Sequence, residues 1–167
     1  TLCKLPKNTL IEFREKGRIV ERNFYKKHLT NAIESNDYQD FSEHWDVQGD
    51  LDGKTFKFDV KGLKKTNRWD SNTQDDAAWH EGTNVKGKPG WGRGKADYIV
   101  FERSDYWLVV NREELFKLVW DELKRRGFPK GKGIWLVYNR WDRPLERTTM
   151  VPYRDIEKLK DVRKLPK

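Results

Sequence analysis

The sequence predicts an α/β fold, a central mixed β-sheet flanked by helices. Three observations carry that expectation. An apolar stripe of helical period runs from Val20 to Ile33. Strict two-residue alternation runs from Thr55 to Lys61. The elements then follow in the order helix, several strands, helix, strands, helix. With 167 residues, the whole chain 1–167 is expected to form one domain around one core.

The first helix is expected from about Leu10 to Ile33, interrupted once at Gly17, with Val20, Phe24, Tyr25, Leu29, Ala32 and Ile33 along its apolar stripe. A short strand follows at Trp45 to Gln48. Asp52-Gly53 marks a hairpin turn, because both residues tolerate positive φ. The returning strand Thr55 to Lys61 turns Phe56, Phe58 and Val60 to one face and Lys57, Asp59 and Lys61 to the other. Leu63 to Lys95 is polar and glycine-rich and reads largely as a mobile loop, with a further strand near Trp79 as an option. Strands are expected at Tyr98 to Phe101 and Tyr106 to Val110 around a Ser104-Asp105 turn. Asn111 then caps a helix that carries Glu114 in its first turn and stops at Gly127. Strands at Ile134 to Tyr138 and Thr148 to Tyr153 and a short helix near Ile156 to Leu159 complete the chain.

Composition narrows the chemistry. Thirty-five Lys and Arg against 27 Asp and Glu give a formal charge of +8, which favours a polyanionic partner, usually nucleic acid. The single cysteine, Cys3, excludes a disulfide framework and a cysteine-based zinc site, and His28, His44 and His80 do not have the spacing of a metal box. No apolar run approaches the roughly 20 residues a membrane helix needs. The expectation is a soluble, cytoplasmic protein with no membrane partner.

Asp59 and Lys61 share a strand face, and the hairpin at Asp52-Gly53 returns that strand beside Asp46. Two aspartates and a lysine brought together suit phosphodiester hydrolysis at magnesium. The carboxylates hold a hard cation that keeps several waters, and the lysine meets the phosphate or the attacking water. A third acid stands out on the helix. Glu12 has Lys16 one turn on and Glu15 has Arg18, but Glu21 is followed by Phe24 and Tyr25 and borders the apolar stripe. A carboxylate so placed is costly unless a cation or an ion pair with Arg18 satisfies it.

The order Gly17-Arg18-Ile19-Val20-Glu21-Arg22, then Asp46, then Phe58-Asp59-Val60-Lys61-Gly62 resembles the PD-(D/E)XK nuclease superfamily, which includes restriction endonucleases, archaeal-type Holliday junction resolvases and many phage nucleases. Trp79 to Val85, Gly90-Trp91-Gly92 and Ala96-Asp97-Tyr98-Ile99 look like phage-type members. The resemblance covers about residues 17 to 120. It departs from the usual pattern in having Trp45 before Asp46 and Asp59 where Glu is commoner. It implies a restriction-endonuclease-like core. It also implies Glu21, Asp46, Asp59 and Lys61 as catalytic residues, with Mg2+, or Mn2+ in its place, held by Asp46, Asp59, Glu21 and the Val60 backbone carbonyl. The expected activity is a metal-dependent DNA endonuclease of phage or recombination type, working in a host-cell cytoplasm if phage-encoded. An RNA endonuclease and an inert nucleic-acid-binding module are the alternatives. Resolvases work as two-fold pairs, so a homodimer is one option.

Other residues stay open at this level. Lys64, Lys65, Arg68, Lys86, Lys88, Arg93 and Lys95, interleaved with Trp69 and Trp91, are expected to contact phosphates and bases, or else to solubilise a loop. Glu81 and Asn84 are candidate accessories to the metal or substrate, or solvated loop residues. His80 is either a proton shuttle or a surface side chain. Asp97 reads as structural. Trp107, Trp120, Trp135 and Trp141 read as core or interface.

Overall fold

The hairpin at Asp52-Gly53 organises half of the central sheet. Asp52 has φ 52° and Gly53 φ 79°, the two successive positive values of a type I′ turn, whose twist matches that of paired strands. It joins β2 (Val47–Leu51) to β3 (Lys54–Lys61), with Val47 opposite Phe58 and Leu51 opposite Lys54. The structure is a computed structural model describing residues 7–64, 76–84, 86–138 and 146–167, with side chains in the first helix from Glu15 onward. Lys65, Arg68, Trp69 and Trp141 lie outside the described residues.

The protein is α/β, with a mixed six-stranded sheet flanked by helices, as its sequence predicts. The strand order is β1-β2-β3-β5-β6-β8, where β1 is Thr30–Glu34, β5 Tyr98–Glu102, β6 Tyr106–Asn111 and β8 Val162–Pro166. The β3–β5 pair is parallel and the others are antiparallel. A second, two-stranded sheet pairs β4 (Ala77–Thr83) with β7 (Arg147–Pro152).

Alternation on β3 divides the interior in two. Phe58 and Val60 join Phe24 of α1 (Lys7–His28), Val47, Val100 and Trp107 in one apolar cluster. The opposite face carries Ile99, Phe101, Leu108 and Val110 against Leu115, Val119 and Leu123 of α2 (Arg112–Arg125) and against Ala78 and Val151 of the small sheet. Asn111 caps α2 by accepting a hydrogen bond from Glu114 N–H at 3.1 Å, and Gly127 takes φ 74° after its end. Of the described tryptophans read as core or interface, Trp107 and Trp135 are buried and Trp120 is exposed. No helix among the described residues is long and apolar enough to cross a membrane.

Four local expectations are corrected. The first helix runs unbroken through Gly17 but stops at His28, not Ile33. Thr30–Glu34 pairs with the edge of β2 instead, through a bulge where Asn31 takes φ 53° and donates to the Asp50 carboxylate. Unpaired backbone on an edge accepts β-branched Thr30 and Ile33 more readily than another helical turn does. Second, within the expected loop from Leu63 to Lys95 the optional strand near Trp79 is present as β4, and a 3₁₀ turn forms at Trp91–Arg93, so less of the segment is loop than expected. Alternation there hides Ala78, His80 and Gly82 inside, a period that weakly hydrophobic residues conceal. Third, Ile134 to Tyr138 makes only isolated bridges, since Trp135 takes φ 58° and Gly131 and Gly133 take φ above 150°. Fourth, the last helix, α3, spans Tyr153–Ile156 and precedes the unforeseen β8.

Candidate active site

Two elements meet where β2 ends. Extending the β2–β3 register by one residue sets Asp46 opposite Asp59, and Asp46 N–H donates to the Phe58 carbonyl at 2.8 Å. The Asp46 side chain then takes over the ladder. Its Oδ2 accepts the Val60 N–H at 2.7 Å, in place of the backbone acceptor a longer β2 would supply. A strand residue sends its N–H and C=O to the same side, so the Val60 carbonyl belongs to the stretch of β3 that β2 leaves uncovered. Asp59 is 3% exposed, with Lys61 Nζ 3.0 Å from its Oδ1 and no hydrogen-bond partner for its Oδ2.

α1 brings the third carboxylate. Glu21, Asp46, Asp59, Val60 and Lys61 all line one groove of about 280 Å³. The predicted quartet is therefore drawn together from α1 and from the two arms of the β2–β3 hairpin. Arg18 does not satisfy Glu21 by an ion pair; it lies 3.6 Å from Glu34, which also takes Arg22 and the Tyr25 hydroxyl. Two further residues line the groove that the sequence did not single out, Asp40 from a short π-helical turn at Gln39–Glu43 and His44 just after it. Nothing in a polar stretch without periodicity marks Asp40 in advance.

The electrostatics are those of crowded acids. Burial, and then the Asp59 and Glu21 carboxylates, push Asp46 from an ordinary 3.8 to about 10. Burial and then Asp40 push Glu21 up to about 7. Burial works against the charge on Lys61, but Asp59 and Asp46 outweigh it and hold the ammonium above its ordinary pKa. Neighbouring Lys64 goes the other way, lowered by burial and by Lys61. Among the described residues, no three His, Cys, Asp or Glu side chains stand in a group ready to hold a metal ion.

Trp91 closes one wall. Lys61 Nζ sits 4.7 Å from its ring centroid, and the ring rests on His80 and Phe101. This close approach explains Gly90-Trp91-Gly92. A Cβ on Gly92 would come within 2.4 Å of the His80 ring, and one on Gly90 within 2.5 Å of the Glu81 carbonyl. His80 is 1% exposed, and burial, then Arg112 and Lys61, lower its pKa to about 3, so neither surface placement nor proton shuttling near neutral pH survives. It is a neutral packing group.

The basic residues divide. Lys64 lines the groove. Lys86 and Lys88 are exposed on a turn whose backbone N–H groups donate to the Asn84 side chain, so Asn84 closes a loop. Arg93 donates to Gly82 and Thr83 and pins the 3₁₀ turn to β4, while Lys95 pairs with Glu43 at 2.9 Å. Glu81 lines a neighbouring cleft with Lys61 and Trp91. Asp97 accepts the Lys57 N–H at 2.8 Å, a structural role as its sequence position suggests. No protein-family model matches the chain, and neither a curated protein nor a solved structure does.

Proposed function

We propose that the chain is a divalent-metal-dependent nuclease, a DNA endonuclease in preference to an RNA endonuclease, with its active site in the groove of Glu21, Asp46, Asp59 and Lys61. The observation that carries this reading is electrostatic. Four carboxylates, Glu21, Asp40, Asp46 and Asp59, share one groove, two of them have strongly raised pKa values, and a buried Asp59 oxygen has no partner. Such a cluster is unfavourable by itself and suits a hard cation with oxygen ligands, so the residues fit magnesium. Asp46, Asp59 and the Val60 carbonyl would hold it, with Glu21 at the groove wall. When bound, the cation supplies charge neutralisation at phosphorus and a water activated for attack.

The remaining steps belong to the protein. Lys61 is fixed by Asp59 and Trp91, so its ammonium is directed rather than free, and it donates to a non-bridging phosphate oxygen or orients the attacking water. Water adds to phosphorus as the bond to the departing sugar oxygen breaks; the attacking water gives up one proton to solvent and the departing oxygen takes one up from solvent. The excess of basic residues favours the polyanionic substrate.

Metal binding must displace protons, since Asp46 and part of Glu21 are protonated at pH 7 in the free protein. Calorimetric titration with Mn2+ at pH 7 is expected to give a saturable heat and release about one to two protons per ion, read from buffers of different ionisation enthalpy. Asp59→Asn should lose that heat while keeping its circular dichroism. No heat at millimolar Mn2+, or an unchanged heat in the variant, would remove the metal from this account.

A further inference from the structure

Beside the acidic groove lies a second cavity with a different lining. It measures about 370 Å³ and is walled by Trp79, Trp91, Phe101, Tyr138 and Tyr153, with Lys61 and Lys64 at its boundary. Lys61, Gly62, Lys64 and Trp91 line both cavities, so they are two ends of one depression. The far wall belongs to the small sheet, where Trp79 of β4 stands 5.6 Å from Tyr138 at a tilted angle. The near wall is Phe101 of β5, which the parallel register sets beside Lys61.

Resting on the nuclease reading of the adjoining groove, we infer that the aromatic cleft receives one unpaired nucleobase of the strand being cut. The volume lies in the range of small-molecule pockets. The two lysines at the junction complement the phosphate that joins such a base to the strand in the acidic groove. Trp79 lines the cleft beside Tyr138, whereas Trp91 already carries the Lys61 ammonium and Tyr153 the Arg103 guanidinium, so Trp79 is the ring assigned to the base. A base stacked within a duplex cannot enter a side cleft unless it leaves the stack. The substrate class is therefore a strand with an unpaired nucleotide next to the cut: single strand, flap, bulge or branch point.

The test is binding in EDTA, where no cutting is expected, with oligonucleotides carrying one 2-aminopurine. Wild type should bind a single strand or a bulged duplex at least about tenfold tighter than the perfect duplex, with a change in the probe's fluorescence. Trp79→Leu keeps the apolar bulk but removes the stacking face. It should lose roughly tenfold on the unpaired substrates and nothing on the duplex. Deoxyribose and ribose versions report which sugar is preferred. Equal binding of duplex and single strand by wild type, or an unchanged single-strand affinity in a folded Trp79→Leu, would overturn the inference. Metal-dependent cleavage of duplex alongside either result would leave the nuclease reading standing, so the two fail separately.

Discussion

Lys61→Ala is expected to cleave at least about a thousandfold more slowly than wild type at saturating Mg2+, with substrate affinity little changed. The size follows from where the ammonium sits. It lies 3.0 Å from Asp59 and over Trp91, on the face that looks into the groove, so no other described lysine occupies its position. Lys64 lines the same groove, but its pKa is lowered by burial and by Lys61 itself. Lys61→Arg is not expected to restore the rate, because a larger planar guanidinium paired with Asp59 and stacked on Trp91 places its donors differently from a compact ammonium. The variant also removes the cation beside two acids. Without metal it should unfold at a lower temperature than wild type at pH 8, because it loses the ion pair of the buried ammonium with Asp59. Single-turnover cleavage rates and thermal melts check both halves.

Asp46→Asn should have the opposite effect on stability while abolishing activity. In the free protein Asp46 is raised to about 10 and Glu21 to about 7. A group whose pKa rises on folding contributes stability that is complete below its unfolded pKa and is lost as pH climbs towards the folded one. Glu21 therefore costs stability progressively from about pH 4.5 to 7, and Asp46 from about pH 4 to 10. A carboxylate with a lowered pKa, such as Glu34 held down by the Tyr25 hydroxyl and Arg22, acts the other way and loses its contribution only in acid. The metal-free protein is expected to be most stable near pH 5 and to weaken towards pH 8. Asparagine keeps an oxygen acceptor for the Val60 N–H and removes the need to take up a proton on folding. Asp46→Asn should thus raise the melting temperature in EDTA at pH 8 by roughly 3–6 °C, about 1–2 kcal/mol, and flatten the decline between pH 5 and 8. Added Mg2+ should stabilise wild type and not the variant. A lower melting temperature for Asp46→Asn at pH 8 would mean that its carboxylate is not under strain.

Much of this site was legible because its residues obey strong local rules. The Asp52-Gly53 turn and the alternation of β3 put Asp46, Asp59 and Lys61 together before any coordinates were needed. Glu21 was visible as a carboxylate on the apolar border of a helix without a partner one turn on. The depth of Asp59 was not legible. Its strand face reads as solvent or metal, yet it is 3% exposed in a groove that Trp91 also lines, and a loop reading of Leu63 to Lys95 left Trp91 unplaced. The strand near Trp79 was legible only as an option, because Ala78 and Gly82 give β4 an inward face too small to register as hydrophobic periodicity, and the burial of His80 went unseen with it. Asp40 depends wholly on tertiary placement. The end of α1 was misjudged because Ala32 and Ile33 continue the apolar stripe, whereas the exposed edge of β2 decides their conformation.

The most direct measurement is cleavage of labelled single-stranded, duplex and four-way-junction DNA, and of RNA, with Mg2+, Mn2+ or EDTA, using wild type beside Asp59→Asn. The account predicts cutting of at least one DNA substrate with either metal, none in EDTA and none by the variant. Cutting that persists in EDTA or in Asp59→Asn, or a folded wild type that binds metal and cuts nothing, would contradict it.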